Sequence, residues 1–371
     1  YFGLRIMINK DESVEITWKN GETTLLPNLW LRDNCACDLC RNTQTTEKLF
    51  QLAQVDVNLM PETVDLIEDE LHLLWPDGHR SVYDGSAIRA LTIPQTTHLR
   101  LWSSEFRPQQ FDYGKFTHND SIAVDAIENF LSTGTILLTN APTKECLENL
   151  APMLGPLRET VFGRIHNVVV DSTGYNVAST NLELPPHTDL PSYSWPPSVQ
   201  ALHMLVNETE HGESIIVDGF AVATQFRNDH PNWFDRLCCT PVPFRIFDDN
   251  NETFATQPII QLDTGGQIAG VRYSNQTMQP MNPVRTGLNE FYSAYHEFST
   301  RITSDKAKAI FRLEGGQILL VAGHRVLHAR KEFVANAKRH LQDAYFEHDN
   351  IRNHLTVIQR RLRKIGNTSL Q

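Results

Sequence analysis

Residues 1–20 alternate apolar and polar positions, with Ile6 and Ile8 in one run, Val14, Ile16 and Trp18 in the next, and Asp11-Glu12 between them. Successive strand side chains point to opposite faces, so this alternation predicts a β-hairpin. Short strands are also expected over 50–57 and 71–75, and Pro76-Asp77-Gly78-His79 has the composition of a turn. Residues 103–120 are polar and lack a period, as a linker or an arm would. From Ser121 to Leu131 the spacing of Ile122, Val124, Ile127 and Leu131 predicts a short helix. Gly134–Thr139 then reads as a buried strand, and Lys144–Leu154 as a helix stopped before Gly155-Pro156. Strands follow at 200–205, 214–218, 243–247, 258–262, 269–274 and 317–322, with a helix from Gly287 to Ile302 that carries Phe291, Tyr295 and Phe298. The basic stretch 349–364 places Ile351, Leu355, Ile358 and Leu362 on one helical face.

The chain is therefore expected to be mainly β with flanking helices. A small β domain would occupy residues 1–100. A larger domain, 101–371, has the many short strands and turns of a β-barrel or jelly roll.

Composition narrows the function classes. A net charge of -11 argues against nucleic acid and anionic membranes as partners. No 18-residue apolar run and no secretory pattern at the start are present, so a cytoplasmic location is expected. In that compartment the cluster Cys35-x-Cys37-x2-Cys40 reads as a metal site and not as a disulfide framework. Structural zinc takes four ligands in a tetrahedron, and His79 in the turn is the nearest fourth. His72 is the weaker candidate, because a strand histidine on a polar face needs no metal. Cys146, Cys238 and Cys239 read as ordinary free thiols.

The second constellation begins at Pro185-Pro186-His187-Thr188-Asp189-Leu190. A His and an Asp two apart on an extended segment point the same way, and supply two thirds of the 2-His-1-carboxylate triad that holds non-haem Fe(II). His328, which follows the strand expected at 317–322, is the second histidine of choice. His203 is the rival, but its apolar neighbours suit a buried strand histidine. Three protein ligands leave three open positions on an octahedral ion, enough for 2-oxoglutarate through two oxygens plus O2. The far carboxylate of that co-substrate calls for a guanidinium, which Arg339, 11 residues after His328, could supply, with a hydroxyl from Ser214.

Five motifs carry a resemblance. They are Trp30-Leu31-Arg32-Asp33-Asn34-Cys35-x-Cys37, Trp75-Pro76-Asp77-Gly78-His79, the segment Pro186–Pro191, the segment Gly212–Phe220, and Arg339-His340-Leu341. In this order they resemble the γ-butyrobetaine hydroxylase and trimethyllysine hydroxylase family, within the taurine-dioxygenase-type Fe(II)/2-oxoglutarate superfamily. The resemblance implies a double-stranded β-helix (jelly roll) catalytic domain beside a small zinc-binding N-terminal β domain, and a homodimer. It implies zinc on Cys35, Cys37, Cys40 and His79, iron on His187, Asp189 and His328, 2-oxoglutarate on Arg339 and Ser214, and ascorbate as reductant. The implied reaction hydroxylates a small zwitterion with O2, γ-butyrobetaine to L-carnitine first, with another quaternary-ammonium or amino-acid zwitterion as the alternative. A catalytically inactive zinc-containing binding protein is the competing class.

The substrate positions depart from the family pattern. Phe162, His166 and Ser179 stand where the animal members carry the Tyr, Trp and Tyr of an aromatic cage, while Tyr345 matches the remaining cage Tyr. Asn176 and Asn275 match the amides that meet the substrate carboxylate. Tyr193 and Trp195 could rebuild a cage from another loop by cation–π attraction, or simply pack on Pro196-Pro197.

Overall fold

The computed structural model describes residues 5–9, 12–92, 98–169, 180–334 and 338–368. The chain divides into two compact units, Tyr1–Thr97 and His98–Gln371.

In the first unit, β1 (Arg5–Asn9), β2 (Ser13–Thr17) and β3 (Thr23–Pro27) form an antiparallel meander that runs into α1 (Asn28–Asp33). A second meander follows, β4 (Thr63–Ile67), β5 (Glu70–Leu74) and β6 (Arg80–Asp84), then α2 (Gly85–Thr92). Alternate residues point inward, so Val14, Ile16, Leu71, Leu73 and Tyr83 share one core with Leu31 and Trp75. The strand expected over 50–57 is absent. Only a 3-10 turn at Leu52–Gln54 forms there, and Leu52 and Val57 lie exposed. The apolar positions slip phase at Leu52-Ala53, no neighbouring strand pairs with the segment among the described residues, and the Asp56 carboxylate accepts from Asn58 N (2.8 Å), a local turn that competes with extension.

The second unit opens with β7 (Gln109–Asp112), α3 (Tyr113–His118), α4 (Asp120–Thr133), β8 (Thr135–Thr139) and α5 (Ala151–Leu154). The segment 103–120 is thus not a linker. Trp102 and Phe106 are buried and stacked at 4.4 Å, and Tyr113 and Phe116 are core residues. Its polar side chains belong to β7, which pairs in parallel with β8 at the edge of a sheet, where polar residues are tolerated. The helix expected over 144–154 is broken into a 3-10 turn, Leu147–Leu150, and α5. Pro152 restarts the helix, since its ring fits only a first turn.

Further along come β9 (His166–Val169), β10 (Leu184–His187), β11 (Val199–Asn207), β12 (Ser214–Asp218), α6 (Gly219–Asp229) and α7 (Pro231–Cys239). The hairpins β13 (Val242–Phe247)–β14 (Glu252–Gln257) and β15 (Ile260–Leu262)–β16 (Ile268–Val271) precede α8 (Leu288–Thr303). The unit ends with β17 (Lys308–Phe311), β18 (Gln317–Ala322), β19 (Val326–Arg330), β20 (Arg339–Phe346) and α9 (His348–Thr368).

Two sheets organise these strands, with orders β7-β8-β18-β11-β20-β9 and β10-β19-β12-β17. Period-2 alternation sorts their side chains. Leu202, Leu319 and Leu341 join Ile216, Ala309 and Val326 of the other sheet in an inner core, the layout of a jelly roll. Val199, Ala201, Ile318 and Leu320 point the other way, into a layer closed by α3, α4, α5 and α9. The predicted face of α9 is the one used: Ile351 and Ile358 are buried there, with Leu355 and Leu362 packed beside them. A buried bidentate pair ties the sheet ends. Arg325 Nη2 and Nε reach Asp218 Oδ2 and Oδ1 at 2.8 and 3.0 Å, and the same carboxylate caps the N-terminus of α6. No helix among the described residues is long and apolar enough to cross a membrane.

Candidate active site

Strands β10 and β19 lie side by side, and their register sets His187 directly opposite His328, ring centroids 4.3 Å apart. Two residues on, Asp189 Oδ1 stands 3.1 Å from His187 Nε2 and 3.5 Å from His328 Nε2. Cis ligands around a single ion with bonds near 2.1 Å would stand about 3 Å apart, so the three donors fit one metal. Their orientation is fixed from behind. His187 Nδ1 donates to the Pro185 carbonyl at 2.9 Å, which leaves Nε2 for a ligand bond. Asp189 Oδ2 accepts from Gln200 Nε2 (2.6 Å) and Tyr345 Oη (2.8 Å), which frees Oδ1.

The loop that presents Asp189 is held under strain. Leu190 is buried with φ +48°, a left-handed value unfavourable for a branched side chain. Thr188 clamps the loop on one side, its hydroxyl donating to Val271 O (3.0 Å) and accepting from Tyr273 N (3.1 Å). Arg272 clamps it on the other, donating to the carbonyls of Pro191, Tyr193 and Ser194.

Charge follows from this packing. Burial alone would raise the Asp189 carboxyl, but the two imidazoles and the Tyr345 hydroxyl outweigh it and hold it well below the usual carboxylate range. His328 is pushed down to about 4, by burial first and by His187, against the pull of Asp189. A neutral imidazole is the form that binds metal.

These groups line a cavity of about 360 Å³. Ser214, Arg330 and Arg339 line it as well. Arg339 Nε is buried with no hydrogen-bond partner, and no carboxylate pairs with the guanidinium among the described residues. Burial, with Arg330 and Arg312 nearby, pushes it down to about 10. A guanidinium so placed is built to receive an anion from the cavity.

Elsewhere on the cavity wall, Phe162 and His166 stack at 4.8 Å. Tyr345 lines the cavity too, but its hydroxyl is committed to Asp189 and Asp343. The alternative cage from Tyr193 and Trp195 does not form. Neither is among the cavity-lining residues: the Tyr193 hydroxyl accepts from Val161 N and its ring lies under Arg158, and Trp195 is 71% exposed. Asn275 is exposed and off the cavity wall, where Tyr295 Oη donates to its Oδ1. Asn176 and Ser179 lie outside the described residues.

Motif reading missed several polar cavity residues, among them Gln200, Arg330 and Asp343. The signal was period 2, since Arg339, Leu341, Asp343 and Tyr345 share one face of β20.

The other donor cluster lies in the first unit. Cys35, Cys37 and Cys40 Sγ stand 3.3, 3.7 and 3.5 Å from His79 Nε2. Tetrahedral bonds near 2.3 Å to sulfur and 2.0 Å to nitrogen would put these atoms about 3.5 Å apart. His72 is not part of it and meets Glu70 on the outer face of β5. His203 is fully buried beside Cys146, on the face of β11 opposite to Gln200.

Residues 94–345 match the family described as taurine catabolism dioxygenase TauD, TfdA, and residues 6–88 match γ-butyrobetaine hydroxylase-like, N-terminal. A γ-butyrobetaine dioxygenase from Pseudomonas sp. (strain AK-1) is 32% identical over 94% of this chain and 94% of its own. The Homo sapiens protein of that name is 28% identical over 94% and 95%. The mitochondrial trimethyllysine dioxygenase of Gallus gallus is 28% identical over 88% of this chain and 81% of its own. The chain belongs to the taurine catabolism dioxygenase TauD, TfdA family and is an Fe(II)/2-oxoglutarate-dependent dioxygenase.

Proposed function

We propose that the protein hydroxylates a small zwitterion bearing a quaternary-ammonium group, with γ-butyrobetaine to L-carnitine as the first candidate reaction. His187, Asp189 and His328 hold the iron, and Arg339 with Ser214 holds the distal carboxylate of 2-oxoglutarate. The observation that carries the reading is one cavity with a 2-His-1-carboxylate set and, on its wall, the Arg339 guanidinium, whose Nε is buried and which pairs with no carboxylate among the described residues. Homologues named for γ-butyrobetaine and trimethyllysine support the substrate class.

Bound iron and 2-oxoglutarate supply the chemistry: O2 is consumed, 2-oxoglutarate becomes succinate and CO2, and an unactivated C–H becomes C–OH. The protein's part is placement. Pro185 O, Gln200 and Tyr345 aim the ligand atoms, and Leu202, Leu319 and Leu341 keep water from the reacting carbon. No side chain needs to act as acid or base.

Cys35, Cys37, Cys40 and His79 are proposed to hold a zinc ion with no open position, which stabilises the first unit and takes no part in turnover. Ascorbate as reductant and a homodimeric assembly extend the reading by likeness to the family.

The test is an anaerobic reconstitution with Fe(II), ascorbate, 2-oxoglutarate and γ-butyrobetaine, followed by O2 and mass spectrometry of the amine. The reading expects a gain of one oxygen coupled to succinate. Succinate formed without any oxidised amine would remove γ-butyrobetaine as substrate.

A further inference from the structure

Asp343 has no role in the account so far, yet it is a buried carboxylate on the cavity wall. On β20 it stands across from Leu202 of β11 and from His166 of β9. Its Oδ2 accepts from Gln200 Nε2 at 3.0 Å and lies 3.3 Å from Tyr345 Oη, which shares its one hydrogen with the nearer Asp189. Those same two donors also serve Asp189, so two carboxylates converge on them. The metal site accounts for the charge of Asp189. Asp343 Oδ1 is different: it is buried without a hydrogen-bond partner. His166 Nδ1 stands 3.3 Å from it, at ion-pair distance though out of line for a hydrogen bond; against the effect of burial, Asp343 holds that imidazole above its usual range, while burial holds the Asp343 carboxyl above its own.

A buried, under-satisfied carboxylate is costly unless a cation meets it. Among the described residues the neighbouring wall offers only part of a cation–π cage, the stacked pair of Phe162 and His166 with the Tyr345 ring. An incomplete cage contributes less to binding a cation than direct contact with a buried opposite charge. We propose that the Asp343 carboxylate is the counter-ion for the cationic head of the substrate, taking over the work an aromatic cage would do. The assignment rests on the zwitterion reading above. It makes Asp343 the residue that selects a charged head over a neutral one of the same shape.

The test compares γ-butyrobetaine with its neutral carbon isostere, 5,5-dimethylhexanoate. Binding of each to the anaerobic Fe(II)/2-oxoglutarate-loaded protein is measured by calorimetry, so turnover is not needed. The wild type is expected to prefer the cation by about tenfold or more, the scale of one hydrogen bond or contact to a buried charge. In Asp343→Asn the preference is expected to fall to about twofold or less. Asp343→Ser, smaller and also neutral, gives the same reading should the Asn variant not fold. A merely structural Asp343 would weaken both ligands together and leave the ratio alone. An unchanged ratio in the variant, or no preference in the wild type, overturns the assignment while the zwitterion reading stands. If neither ligand binds the wild type, both fall.

Discussion

Replacing Arg339 by Met keeps the aliphatic stem and removes the guanidinium. The drop from 12.5 to about 10 means that burying this charge costs the free protein about 2–3 kcal/mol, after allowance for its remaining exposure. A carboxylate from 2-oxoglutarate offsets that cost, so the Met variant should lose about 2–3 kcal/mol of co-substrate binding, a rise of about 30- to 160-fold in the dissociation constant. The apo variant should be as stable as the wild type or more so, because the uncompensated charge is gone. Thermal unfolding with and without 2-oxoglutarate reads both effects. At a ligand concentration of about 100 times its dissociation constant, the wild type should gain about 2.7 kcal/mol, or about 3–5 °C for a chain of this size, and the variant only about 0.3–0.9 kcal/mol at the same concentration. An apo variant that is destabilised, with co-substrate affinity within about threefold of wild type, would refute the reasoning and give Arg339 a structural partner.

Other predictions follow from single contacts. Metal analysis should find one zinc per chain, and Cys40→Ser should lose it and open residues 12–92 to limited proteolysis; zinc retained in the variant would remove the Cys3His assignment. His348 should make the fold acid-sensitive. Burial first, then His324 and Arg352, push it down to about 4, so the unfolded chain takes up its proton at higher pH than the folded one. Stability is then whole above about pH 6.5 and is lost as pH falls toward 4, by up to about 3 kcal/mol. His348→Phe, which keeps a ring against Phe130, should flatten that slope; the same slope in both proteins would acquit His348. Trp195→Ala should leave KM for the amine within about twofold, since the ring lies in solvent; a tenfold rise would bring it back into the cage.

Much of the site was legible because its chemistry needs particular residue types at particular spacings. His187 and Asp189 are neighbours in sequence, and the choice of His328 over His203 follows from the apolar context of His203, which the structure places in the outer layer beside Cys146. The helix face of α9 was readable because Ile351, Leu355, Ile358 and Leu362 have nothing but the core to meet. What failed was read from average polarity. Residues 103–120 looked like a linker because Gln109, Gln110 and Asp112 belong to an edge strand, and Trp102, Phe106, Tyr113 and Phe116 were outnumbered. Residues 50–57 are rich in apolar positions but have no partner strand among the described residues, which no local pattern reveals. At the substrate end, closeness to the iron motif suggested Tyr193 and Trp195, and likeness to relatives suggested Asn275. The register of β20 brings Asp343 and Tyr345 into the cavity, while those three lie off its wall.

The central claim is the identity of the iron ligands, and an anaerobic Fe(II) titration in the presence of 2-oxoglutarate tests it most directly. The wild type should develop the weak visible absorption of chelated 2-oxoglutarate at one iron per chain. His328→Ala should not develop it, and His203→Gln should match the wild type. A His328→Ala protein that keeps the band, or a folded His203→Gln protein that loses it, would contradict the account.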